Sequence, residues 1–128
     1  MEAQGAETMN TPTYGFSRHL PGVSLEDGVA AITDALTEVG FGILTRIDVH
    51  TTLKEKLDRD FRPYAILGAC NPGLAIEALE DEPHVGLWMP CNVVVQEEAG
   101  GCEISLIDPD ELLRFVEGDG VQRVMREA

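Results

Sequence analysis

Between Ser24 and Gly40 the apolar residues Leu25, Val29, Ile32, Leu36 and Val39 recur at spacings of four, three, four and three. At 3.6 residues per turn, that spacing puts all five on one helical face. The stretch therefore predicts an amphipathic helix that must bury one side against another layer. Both ends are marked. Ser24 with Asp27 three positions on has the form of a capping box, and Gly40 stands where a left-handed C-terminal residue belongs.

The flanking segments supply strands for that helix to cover. Residues 14–20 read as a first strand closed by Pro21-Gly22, and residues 41–49 as a second with Phe41, Ile43, Thr45 and Ile47 on one face. A short helix is expected over residues 50–60. The run 64–70 is apolar with little alternation, which fits a buried central strand. Asn71 as N-cap and Pro72 at the first helical position open a helix carrying Leu74, Ala75, Ala78 and Leu79. Residues 85–96 give the longest strand signal. Ala99-Gly100-Gly101 reads as a turn, and residues 102–107 as the hairpin partner. Asp108 caps a last helix with Glu111 at its third position and a stripe of Leu112, Leu113, Phe115 and Val116. Gly118 and Gly120 interrupt that helix before a further turn over residues 121–125. The order β-α-β-α-β-α-β-β-α predicts an α+β fold, a mixed β-sheet with helices packed mainly on one face.

The length, 128 residues, suits one domain. Residues 1–12 read as a disordered lead-in and residues 13–128 as the single domain. Aromatics make up only 5% against 44% hydrophobic residues overall, so the core must be aliphatic. The net charge is −14, from 23 acids against 9 bases. Such a field argues against nucleic acid and anionic membranes as partners, because both are bound through clustered Lys and Arg. It reads as a solvated surface that keeps the chain soluble, with attraction of a cationic ligand or a metal as the alternative. No apolar run approaches the roughly 20 residues of a membrane span, and no secretory signal opens the chain. Three Cys is an odd count that excludes a fully paired disulfide framework, and free thiols point to the cytoplasm.

Three stretches carry a resemblance. Asp48-Val49-His50-Thr51-Thr52-Leu53-Lys54-Glu55-Lys56-Leu57, Tyr64-Ala65-Ile66-Leu67-Gly68-Ala69-Cys70-Asn71-Pro72, and Pro90-Cys91-Asn92-Val93-Val94-Val95 with Asp108-Pro109 later, resemble blocks of the domain of unknown function 302 family. The match runs from about residue 13 to 126. The resemblance implies a compact α+β domain with a TATA-binding-protein-like layout, often a homodimer, and supplies no agreed activity. Trp88-Met89 departs from the pattern by placing larger side chains before Pro90.

The chemistry-bearing residues gather at two Cys-Asn steps. Cys70 lies just before a predicted helix start, where the helix dipole favours a thiolate, and Gly68 on the same strand face leaves room for a close approach. Cys91 begins an apolar strand after Pro90. If the two strands are neighbours, Cys70, Asn71, Cys91 and Asn92 meet at one sheet end. Cys70, Cys91 and His84 together form a donor set apt for zinc, although no Cys-x-x-Cys or His-x-x-x-His is present. Packed thiols with no further role are the plainer alternative. Cys102 reads as a hairpin-edge residue without a role, and His19 and His50 as solvated residues at strand ends. Arg18, Arg46 and Arg62 are either an anion clamp or, preferably, partners of surface acids. Three functions stay open: a cytoplasmic homodimeric module binding a small ligand or metal, a thiol redox protein or enzyme using Cys70 or Cys91, and a structural interaction domain.

Overall fold

The computed structural model describes residues 11–112 and 119–128. The lead-in expected over residues 1–12 and the stripe of Leu113, Phe115 and Val116 fall wholly or largely outside them.

The described chain runs β1 (Gly15–Pro21), α1 (Leu25–Glu38), β2 (Gly42–Asp48), α2 (Val49–Leu57), β3 (Tyr64–Cys70) and α3 (Pro72–Asp81). A 3₁₀ helix (Pro83–Trp88), β4 (Cys91–Glu98), β5 (Gly101–Ile107), α4 (Pro109–Leu112) and α5 (Asp119–Glu127) complete it. The fold is α+β. Its five strands form one sheet in the order β1-β5-β4-β3-β2. Every pairing is antiparallel, where a mixed sheet was expected. The reason is that β1 and β2, the two strands joined across α1, lie at opposite edges and never pair. β4 is the middle strand, and β3 lies one place in from the β2 edge.

Helix α1 forms as its spacing dictates. The Ser24 hydroxyl accepts from the Asp27 amide at 3.2 Å. At the other end Phe41 N–H donates to Leu36 O at 2.9 Å and Gly40 N–H to Thr37 O at 3.1 Å. That pair of bonds is a Schellman motif, which needs the positive φ of +91° that Gly40 supplies. The apolar face of α1 covers the sheet. Ala65, Leu67, Ala69, Val93, Val95, Cys102 and Ile104 are buried beneath it together with Leu25 of the helix itself, with Val29, Ile32, Leu36 and Phe41 packed around them. Gly28 allows the close approach: a Cβ there would stand 2.7 Å from the Cys102 sulfur. Cys102 is therefore fully buried on an interior strand and is not the hairpin-edge residue expected.

Two local departures shape the opposite sheet end. Pairing slips between Ile43, opposite Ala69, and Thr45, opposite Gly68, so β2 carries a bulge at Leu44. Strict alternation ends there. Phe41 and Ile43 pack toward α1, whereas Ile47 beyond the bulge is 53% exposed. The strand expected over residues 85–96 begins only at Cys91, because Pro83 and Pro90 bracket a 3₁₀ helix instead. Its bonds are Val85 N–H to Glu82 O at 2.9 Å and Met89 N–H to Gly86 O at 3.2 Å. A proline has no N–H to give a ladder, so β4 starts after Pro90. The 3₁₀ turn buries Val85 in a second small core with Ala78, Val124 and Met125, next to Leu74 and Met89. The Arg123 guanidinium joins α5 to α3 through Glu77. Among the described residues no helix is long and apolar enough to cross a membrane.

Candidate functional site: an apolar cavity at the sheet end

Strand β3 ends where β4 begins. Ala69 lies opposite Cys91 in the ladder, so Cys70, one residue on, is offset from Cys91 by a single position at the strand ends. The two Cys-Asn steps are brought to one end of the sheet, as the strand order requires. There, between the sheet end and helices α3 and α5, lies a cavity of about 310 Å³. Cys70, Asn71 and Cys91 line it together with the β2 residues Leu44 and Thr45. Leu74 and Ala78 of α3, Met89 and Pro90 before β4, and Val124 and Met125 of α5 complete most of its wall. The volume lies at the lower end of the range that small-molecule sites occupy.

The residues of the wall have distinct duties. Asn71 caps α3: its side-chain oxygen accepts from Leu74 N–H at 3.2 Å, and Pro72 occupies the first turn as predicted. Gly68 makes room, but for this chain's own residues: a Cβ there would meet the Thr45 hydroxyl and, at 2.7 Å, the Pro90 ring. The close approach that Gly68 permits is thus the one that shapes the cavity floor. All three cysteines are free, and Cys70 and Cys91 are half-buried. Burial pushes the Cys91 thiol up, and the neighbouring Cys70 adds to the effect. An apolar wall disfavours the thiolate, so in Cys91 desolvation prevails.

The other predicted residues lie apart. Asn92 is exposed and lines an adjoining shallow groove with Cys91 and Val93. The His84 side chain is 87% exposed, with its Nδ1 3.2 Å from the Glu82 carboxylate, which also accepts from the His84 backbone N–H at 2.6 Å. It does not line the cavity. Among the described residues no three His, Cys, Asp or Glu side chains are grouped to hold a metal. His50 is half-buried: its Nδ1 accepts from Tyr64 N–H at 3.0 Å, fastening α2 to the start of β3. The guanidinium of Arg46 grips both oxygens of Glu26 on α1 and also meets Asp48, which holds the Glu26 carboxyl below the usual range. Arg62 stacks on Phe61 and donates to Gln96 at 2.9 Å. Arg18 stands on β1, at the sheet edge opposite Arg46, so the three do not form one anion clamp.

A second polar group lies across the sheet from α1. His19 Nδ1 and Glu98 are 2.7 Å apart, Ser17 and Ser105 share a hydrogen bond at 2.8 Å, and Glu103 is 7% exposed beside them. Burial, then the Glu98 charge, push the Glu103 carboxyl up; Ser105 and His19 oppose that shift.

Sequence reading missed Phe41, Leu44, Val124 and Met125 as cavity residues. The bulge that turns Leu44 into the wall leaves no mark in local sequence, and the α5 pair looks like any apolar helix face. Met89, one of the two large residues before Pro90, was the visible hint.

The antiparallel sheet with α1 on one face, and a cavity walled by α3 and α5 at one end, define a small α+β domain of one recurring architecture. The chain belongs to the family described as Domain of unknown function DUF302, whose model matches residues 16–128. It is similar to an uncharacterized conserved DUF302 protein from Bacillus stearothermophilus, known from its crystal structure. The two share 26% identity and a TM-score of 0.79, over 91% of this chain and 90% of that one. No curated protein matches the sequence.

Proposed function

We propose that this domain is a binding module, a cytoplasmic homodimer that takes a small, weakly hydrated ligand into the cavity at the end of β3 and β4. One observation carries the reading: Cys70 and Cys91, from neighbouring strand ends, face a single cavity whose other walls are almost wholly aliphatic. Such a wall stabilises uncharged or soft ligands and penalises hydrated ions. A thiol enzyme is less well supported, since burial works against the Cys91 thiolate. The edge strand β2, with Leu44 66% and Ile47 53% exposed, supports association between copies.

The test is titration with a neutral fluorescent probe, N-phenyl-1-naphthylamine. About one probe per chain is expected to bind, and Ala75→Phe, which fills the cavity, should weaken binding by about tenfold or more. Leu44→Glu places a charge at the exposed rim without touching the core and should do the same with thermal stability unchanged. Undiminished binding in both variants would overturn the reading.

A further inference from the structure

We infer that the ligand of this cavity is a soft monovalent metal ion, cuprous copper, held by the sulfur atoms of Cys70, Cys91, Met89 and Met125. The inference rests on the cavity being a binding site and names what enters it. Four sulfur-bearing side chains line the one space, and they arrive on different elements: the end of β3, the start of β4, the segment before Pro90, and α5. Only four Met and three Cys exist in the chain, so more than half of its sulfur meets at this wall.

The rest of the lining decides which metal. Among the described residues no acidic or histidine side chain lines the cavity, and His84 stays in solvent. The Asn71 oxygen is already committed to the Leu74 amide, and Thr45 is pressed against Gly68. Calcium and magnesium want oxygen donors. Zinc, which takes thiolate, completes its four-coordinate sites with Cys, His or carboxylate and not with thioether, so two Cys among the wall's donors leave it two ligands short. Of the metals that soft sulfur ligands take, cuprous copper is the one suited to thiolate and thioether mixed in equal number. Each cysteine that becomes a ligand releases its proton to solvent, and two thiolates around one cuprous ion leave a single net negative charge. Aliphatic walls then keep water from the ion. The −14 charge of the chain raises the local concentration of cations outside the cavity.

The experiment is anaerobic titration of the reduced full-length chain with cuprous ion buffered by bathocuproine disulfonate, alongside zinc against a zinc chromophore. One copper per chain is expected to leave the chelator, with X-ray absorption showing only sulfur neighbours and with no competing zinc uptake. Cys70→Ser and Cys91→Ser should each weaken copper by about a hundredfold, and the volume-conserving Met89→Leu with Met125→Leu by about tenfold. His84→Ala should leave affinity unaltered. No transfer from the chelator, affinity unaffected by the Cys variants, or affinity unaffected by the Met pair would each overturn the four-sulfur site. If copper fails while the neutral probe still enters and Ala75→Phe blocks it, the metal inference falls and the cavity reading stands. If the probe fails too, both fall.

Discussion

Gly28 sits inside α1, a position where alanine ordinarily favours a helix by about 1 kcal/mol. Here the opposite sign is expected. A methyl group would meet the buried Cys102 sulfur at 2.7 Å and Val95 at 3.1 Å, and neither can swing away because both are fully buried. Gly28→Ala should therefore cost about 1–2 kcal/mol in urea unfolding, the net of overpacking against propensity. In a Cys102→Ala background the cost should shrink, giving a coupling of at least about 0.5 kcal/mol in a double-mutant cycle. Glu103 makes a pH prediction of equally definite sign. Burial raises its folded-state pKa above the unfolded value, so both states are protonated at low pH and the fold loses stability as pH rises through the folded pKa. Glu103→Gln should flatten that decline and raise the melting temperature at neutral pH while leaving it unchanged near pH 4. An equal shift at both pH values would contradict the assignment.

At the scale of elements, helix ends carry separable contributions. Asn71→Ala removes the cap of α3 and should cost about 1 kcal/mol by chemical denaturation. At the end of α2, Asp58 holds φ at 53° without being glycine, and its ion pair with Lys54 is exposed. Asp58→Gly should then stabilise the domain by about 0.5 kcal/mol, since the left-handed penalty goes and little else is lost. These features were legible in the sequence because caps and helical spacing are local: Ser24, Gly40, Asn71 and Pro72 all act within a turn of themselves. The elements that escaped were set by distant contacts. The bulge at Leu44 exists because β2 must pair with β3 on both sides of Gly68, and the 3₁₀ turn exists because Val85 finds a buried place beside Val124 and Met125. No window of a few residues contains that information. The meeting of Cys70 and Cys91 at one sheet end is legible only conditionally, on their two strands being neighbours.

The whole molecule consists of one sheet serving two cores. The larger lies under α1, and the smaller joins α3, the 3₁₀ helix and α5. Val124→Ala in the smaller core should cost about 1–2 kcal/mol, and because Val124 also lines the cavity, probe binding should change with it. The matching loss in the larger core, Val95→Ala, should lower stability without altering probe affinity at saturating fold. Sedimentation at micromolar concentration tests the proposed dimer: a single species of one-chain mass would exclude it.

The placement of the three thiols also turns this chain into its own stopwatch. Cys70 and Cys91 are reachable from the cavity, whereas Cys102 is sealed between Gly28 and the sheet with no exposed surface. An alkylating reagent followed by mass spectrometry should add two tags quickly and the third only when α1 lifts from the sheet. The slow step then reads how often the larger core opens in the native protein, and its spacing from the fast steps measures the stability of that core without denaturant. Simultaneous modification of all three thiols would mean that α1 does not seal the sheet.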